Sequence, residues 1–193
     1  MKIPLKKKDL KKTKSYKNSN HIGITVMKEM ETERLIIRNF RSDDEEELYQ
    51  AVQTYKATEY AQMEERDTGN KWPDERYQYK GIVSWFSKGD DFLAVILKSR
   101  TQLIGFINKS KIDDGIYNFG YVFHSASSGK GYAYEAGKAV INYIFENCSA
   151  DAIKTGTPEE NIPSQKLLVR LGFKSLGKGE FSLTKGDWMN LAH

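Results

Sequence analysis

The chain has 193 residues, 39% of them hydrophobic and 12% aromatic, which suits one domain with a real core. No apolar run is long enough for a membrane-spanning helix, and no apolar stretch follows the basic N-terminus as a secretion signal requires. Net charge is +4, but residues 1–20 hold eight lysines and one acid and carry +7, so residues 21–193 carry −3 and offer nucleic acid no general basic surface.

Cys148 is the only cysteine, so an internal disulfide and a four-cysteine zinc site are both excluded. With three histidines (His21, His124 and His193), a histidine-built metal centre is not expected either. A reducing cytoplasm is the expected location.

The division expected is a basic, flexible extension over residues 1–30 and a folded domain over 31–193. The extension reads either as a solvated leader, or sequence ahead of a later start at Met27 or Met30, or as a polybasic arm for RNA, the ribosome or an acidic partner.

Residues 33–40 (Glu-Arg-Leu-Ile-Ile-Arg-Asn-Phe) predict a first strand. Ser42, with Glu45 three residues on, predicts a capping box opening a helix to about Thr54, with Asp43 and Asp44 on the positive end of its dipole. The polar stretch 55–71 reads as loop or a short helical turn. Trp72-Pro73-Asp74 then restarts a helix that reaches Phe86. Residues 91–98 and 102–110 predict a hairpin, and 116–124 a third strand after the turn Asp113-Asp114-Gly115. Ala133, Ala136, Val140, Tyr143 and Ile144 recur at helical spacing and predict a long helix over 130–147. A strand at 151–156, a helix at 163–171 ending on Gly172, and two strands around Gly177-Lys178-Gly179 complete the chain. The order β, α, α, β, β, β, α, β, α, β, β argues for an α/β domain with a mixed sheet covered by helices.

Two segments carry candidate chemistry. The first is Ser127-Ser128-Gly129-Lys130-Gly131-Tyr132-Ala133-Tyr134-Glu135-Ala136, between a strand and the long helix. Its two glycines allow a sharp turn whose successive amides converge on an anion at a helix N-terminus; a pyrophosphate suits it. A tight strand-to-helix connection explains the glycines equally well. The turn is no P-loop, and Tyr134 stands where a dinucleotide fingerprint needs its third glycine. The second is Asn161-Ile162-Pro163-Ser164, followed by Leu171-Gly172-Phe173. Asn161 and Ser164 can hold a ligand, or serve as ordinary caps.

Taken together, strand, Gly-x-Gly, helix, strand, Asn-x-x-Ser, helix and Gly-Phe resemble the GNAT superfamily of N-acetyltransferases. Asn-x-x-Ser, Leu-Gly-Phe and the opening Glu31-Thr32-Glu33-Arg34-Leu35-Ile36-Ile37-Arg38 resemble its ribosomal-protein-alanine N-acetyltransferase branch. The resemblance covers about residues 31–189. It implies a single-domain, mostly antiparallel mixed sheet flanked by helices, with the cofactor in a cleft between two central strands.

The resemblance further implies acetyl-coenzyme A as acyl donor, a direct transfer without an acyl-enzyme, and no metal. Ser128, Gly129, Lys130, Gly131, Tyr132 and Ala133 would grip the pyrophosphate, Tyr121, Val122 and Phe123 would line the pantetheine arm, and Asn161 would hold a cofactor amide. Ser164 would be the acid. The chain departs from the family at Ala126, where a Gln or Arg is usual, at Leu168, where many members have a tyrosine acid, and at Asn118, near a usual glutamate.

An amine must shed its proton to attack a thioester, so a base is needed. The candidates are Glu59, Glu64, Glu65 and His124; Cys148, at the far end of its helix, reads as a half-buried small side chain. The acceptor expected is a peptide N-terminus or a small-molecule amine, with a non-catalytic acyl-coenzyme A sensor as the rival. Nucleic acid is expected only through the lysine-rich tail, and the protein as a monomer or homodimer.

Overall fold

The structure is a computed structural model that describes residues 27–191. The expectations for the basic tail, His21 and His193 lie outside the described residues.

An eight-stranded sheet forms the middle layer, in the order β1-β2-β3-β4-β5-β6-β8-β7, open rather than closed into a barrel. Its strands are β1 (Met30–Glu31), β2 (Leu35–Asn39), β3 (Phe92–Leu97), β4 (Gln102–Asp113), β5 (Ile116–Phe123), β6 (Ala152–Gly156), β7 (Lys174–Gly177) and β8 (Glu180–Thr184). Every neighbouring pair is antiparallel except β5 and β6. The helices are α1 (Glu45–Lys56), α2 (Glu59–Thr68), α3 (Tyr79–Phe86), α4 (Tyr132–Asn147), α5 (Ile162–Arg170) and α6 (Lys185–Met189). Among the described residues no helix is long and apolar enough to cross a membrane.

Strands β3 and β4 are apolar on both faces because each face meets a helical layer. Leu93, Val95, Ile104 and Ile107 face the α4–α5 side; Phe92, Ala94, Leu103 and Phe106 face the α1–α3 side. A bulge where β3 shifts register between Val95 and Ile96 changes which alternate residues of β4 face each layer. On the α1–α3 side the Phe86 and Phe92 rings stack at 3.9 Å, with Phe106 5.5 Å from Phe86. Each buried ring contributes roughly 1.5–3 kcal/mol of transfer free energy. On the other side α4 buries Ala136, Val140, Ile141 and Ile144 at helical spacing.

Four local expectations change. The stretch read as loop or a short helical turn contains the ten-residue helix α2, which buries no residue and so shows no apolar stripe. Thr58 caps it, accepting the Ala61 amide, and Gly69 ends it in the left-handed region at φ 66°. The third helix begins at Tyr79, not Trp72. Trp72 is buried against Phe106 and the Pro73 carbonyl accepts the Tyr79 hydroxyl, so the chain is anchored there and then runs exposed through a short 3₁₀ turn at Arg76–Gln78. Ser42 opens a 3₁₀ turn without capping it. The Asp44 carboxylate accepts the Arg41 amide at 2.7 Å and both Arg38 guanidinium nitrogens at 2.8 Å. A sixth helix, α6, also follows the last strand, capped by Thr184.

Candidate functional site

The site follows from how β5 and β6 meet. Their parallel pairing covers only Ile116–Asn118 against Ala152–Lys154. Beyond that point β5 stays paired with β4 to Phe123, and β6 with β8 to Gly156, so the two strands splay and open a wedge. The His124 amide donates to Ile104 on β4 at 2.8 Å. Backbone groups alternate in direction along a strand. The N–H and C=O groups of Phe119, Tyr121 and Phe123 therefore point away from β4, into the wedge. A cleft of about 1440 Å³ occupies it, and Tyr121, Phe123, Ser128, Gly129, Ala133 and Ser164 all line it.

The glycine turn closes one end. Gly129 and Gly131 adopt φ of 73° and 79°, in the left-handed region that a side chain disfavours. The first backbone bond into α4 runs from the Glu135 amide to Gly131 O at 3.0 Å. Among the described residues the amides from Gly129 to Tyr134 have no protein acceptor, and they sit on the positive end of a sixteen-residue helix. That is the donor set a phosphate requires, and the residues present fit the pyrophosphate of a coenzyme A carrier. Along the neighbouring wall α5 contributes Lys166 and Arg170, the latter with its guanidinium 3.9 Å over the Tyr134 ring. These cations suit the same polyanion.

Asn161 caps α5: its side-chain oxygen accepts the Ser164 amide at 3.1 Å, which leaves its NH₂ available to the cleft. The Ser164 hydroxyl meets the Tyr121 hydroxyl at 2.7 Å. Burial pushes the Tyr121 phenol up to about 12 against the opposing effect of the Ser164 hydrogen bond, so it stays protonated at neutral pH.

On the α1–α3 side, Tyr55 donates to the Glu64 carboxylate at 2.7 Å, and both line the cleft. Burial and then the Glu64 charge hold the Tyr55 phenol far above its ordinary value, with Tyr121 adding a smaller push. Of the other base candidates, Glu59 and Glu65 do not line this cleft. His124 does, but its Nδ1 accepts the Ala126 amide at 3.1 Å and caps the turn Ser125–Ser127. Asn118 donates to Asn108 Oδ1 at 2.6 Å, so a fixed amide stands near the usual glutamate position.

Three of the cofactor residues named from sequence do not line the cleft. Val122 is buried in the α1–α3 core because it lies on the other face of β5. Lys130 does not line the cleft; its carbonyl accepts a bond from Arg34. The Tyr132 ring lies under the Arg34 guanidinium, at 4.6 Å. Leu168 is buried in the α4–α5 core and supplies no hydroxyl. Cys148 caps the far end of α4, and burial pushes its thiol up, which lowers its thiolate fraction.

Sequence reasoning missed the Tyr121–Ser164 pair and the Arg34–Glu135 pair. Glu135 stood inside the quoted Gly-Tyr-Ala-x-Glu-Ala run, but Arg34 lies 101 residues away, beyond any local pattern. Among the described residues no group of three or more His, Cys, Asp or Glu is placed to hold a metal.

A family model for the acetyltransferase (GNAT) domain matches residues 34–174, and the chain belongs to that family. It is 29% identical over 161 residues to the uncharacterized N-acetyltransferase YnaD of Bacillus subtilis strain 168, covering 81% of this chain and 88% of that one. The fold is similar to a GNAT-family acetyltransferase from Bacillus anthracis, with a TM-score of 0.71 and 21% identity over 82% of this chain and 99% of that one. It is also similar to the ribosomal-protein-S5-alanine acetyltransferase of Vibrio fischeri, with a TM-score of 0.61 and 19% identity over 84% and 99% of the two chains. At these identities the structures share the fold, and the ribosomal-protein-alanine branch is one of several neighbours. The protein is thus an N-acetyltransferase of the GNAT family with an eight-stranded, mostly antiparallel sheet.

Proposed function

We propose that the protein moves an acetyl group from acetyl-coenzyme A to a primary amine by direct attack within a ternary complex. One observation carries this reading: the unpaired amides from Gly129 to Tyr134 end a wedge whose β5 edge is itself unpaired. Phosphates suit the turn, and a pantetheine amide suits the strand edge, adding itself as a short extra strand.

The amine nitrogen attacks the thioester carbon, and the C–S bond then breaks. Glu64 is the carboxylate suited to take the amine proton, directly or through water, with Tyr55 fixing its orientation. An inward amide of β5, at Phe119 or Tyr121, suits the oxyanion. Ser164 donates to the departing sulfur. Tyr121, held protonated, donates to Ser164 Oγ and so turns the serine proton outward toward that sulfur. Net, one proton leaves the amine and one ends on the coenzyme A thiol.

The acceptor class is a peptide N-terminus or a small amine. The Vibrio fischeri neighbour, which by its name acts on an alanine of ribosomal protein S5, favours the peptide. A single cysteine, which can form no internal disulfide, suits a cytoplasmic setting.

The test pairs calorimetry of acetyl-coenzyme A binding with thiol release over a panel of peptides and amines. Binding with release on at least one acceptor is the expected outcome. Binding without release on any acceptor would make the protein an acyl-coenzyme A sensor, and no binding would remove the proposal.

A further inference from the structure

The glycine turn is held from behind. Arg34, just ahead of β2, donates Nε to Glu135 Oε2 at 2.7 Å, and its Nη2 sits 2.7 Å from the same oxygen. Its Nη1 donates to the carbonyl of Lys130 at 2.9 Å, and its guanidinium covers the Tyr132 ring at 4.6 Å. The other Glu135 oxygen accepts the Arg34 amide at 2.8 Å and the Thr32 hydroxyl at 2.5 Å. Burial alone would raise the Glu135 pKa, but these four donors outweigh it and hold the carboxyl below its ordinary value.

The bond to Lys130 O carries the argument. A trans peptide points its C=O and N–H in opposite directions. Fixing the Lys130 carbonyl toward Arg34 therefore fixes the next amide, Gly131 N–H, away from it. That amide belongs to the unpaired set that ends the wedge. With glycine on both sides of Lys130, nothing in the turn itself restrains this peptide plane. A carboxylate in the first turn of α4 also helps the helix dipole but would repel a phosphate bound there; Arg34 offsets that charge from the opposite side. Ala126 offers the turn no cation of its own.

We propose that Arg34 and Glu135 form a positioning clamp that orients the Lys130–Gly131 peptide for the pyrophosphate of coenzyme A. Arg34 acts through the Lys130 carbonyl, on the side away from the amides, and need not touch the phosphate. The inference rests on the coenzyme A reading and adds a residue from just ahead of β2 to a cofactor site otherwise built from β5, α4 and α5.

The test measures coenzyme A affinity by calorimetry on the full chain, with steady-state rates for acetyl-coenzyme A on whichever acceptor the panel yields. Arg34→Gln and Glu135→Gln each raise the coenzyme A Kd roughly tenfold, the change expected when a charge-assisted bond no longer orients the site. KM for acetyl-coenzyme A rises with Kd, and kcat at saturation stays within about twofold of wild type. Arg34→Lys keeps the charge but cannot bridge Glu135 and Lys130 O together, so it recovers only part of the loss; it also serves if Arg34→Gln does not fold. In spectra of the labelled protein, the Gly131 amide resonance moves on adding coenzyme A in wild type and less in the variants. Wild-type affinity in all three variants overturns the clamp and leaves the coenzyme A reading intact. A wild-type protein that binds no coenzyme A overturns both.

Discussion

The hydroxyls of Tyr121 and Ser164 meet at 2.7 Å across the cleft, one from the unpaired edge of β5 and the other from the first turn of α5. Neither element alone makes the pair; it exists because Tyr121 on β5 and the residues of α5 belong to the same side of the sheet. Leu168, where the family resemblance leads one to look for a tyrosine, is buried and offers no hydroxyl, whereas the Tyr121 phenol reaches the cleft from a strand.

Removing either hydroxyl should slow chemistry more than it weakens binding. Ser164→Ala is expected to lower kcat by about 10²-fold, the lower end for proton-donor catalysis. Tyr121→Phe is expected to lower it by about tenfold, since it disturbs only the direction of the serine proton. The double variant should match Ser164→Ala alone, because groups acting as a unit are not additive. Thiol-release kinetics check this, and full additivity would separate the two roles. A selenoester donor, whose selenolate leaves without needing a proton, should shrink both deficits.

Alkaline titration offers a second check. The folded Tyr121 phenol is raised to about 12 from an unfolded value near 10. Stability gained by keeping it neutral is therefore complete below pH 10 and is lost as pH rises through the folded value. Urea unfolding of wild type between pH 9 and pH 12 should show a steeper fall than that of Tyr121→Phe. Parallel curves would place the phenol in water.

Gly131→Trp should abolish coenzyme A affinity. The residue sits at φ 79°, and a Cβ there would lie 3.4 Å from Arg34 Nη2, inside the clamp. Because the turn is exposed, the circular dichroism spectrum should stay close to wild type. Retained micromolar binding would move the phosphates elsewhere.

Glu64→Gln should depress kcat with little change in the Kd for acetyl-coenzyme A, since the residue lines the cleft from α2 and not from the glycine turn proposed to hold the phosphates. A loss of about 10²-fold, relieved at higher pH as more amine arrives neutral, is expected for a base. An unchanged rate would leave the proton to water.

The cost of tight strand packing can be read at Gly105. A Cβ there would press into the Val122 carbonyl and the Phe123 backbone on β5. Gly105→Ala should destabilise the fold by about 1–3 kcal/mol, the range for overpacking, measured as a shift in the urea midpoint at constant slope.

Most of the sheet was legible in the residues because β3, β4 and β5 are dense in β-branched and aromatic side chains, and α4 repeats its apolar positions. The glycine turn was legible because glycine adopts its two positive φ angles without the strain a side chain brings. Helix α2 was not, since it buries nothing and rests on its caps at Thr58 and Gly69. The wedge was legible only through the family resemblance, as a cleft between two central strands; no local pattern encodes it, because where β5 parts from β6 depends on a three-residue register. Partners far apart in the chain, such as Arg34 and Glu135 or Tyr121 and Ser164, likewise become apparent only once the layers are packed.

That short register also has a mechanical meaning. Strands β1 to β5 make one plate and β6 to β8 another, joined edge to edge by three residue pairs. The first described strand belongs to one plate and the last to the other, so tension between the two ends of the fold loads this seam and the α4 crossover first. A carrier molecule bound between the plates would act as a splint, and the loaded protein is then expected to resist pulling where the empty one gives way.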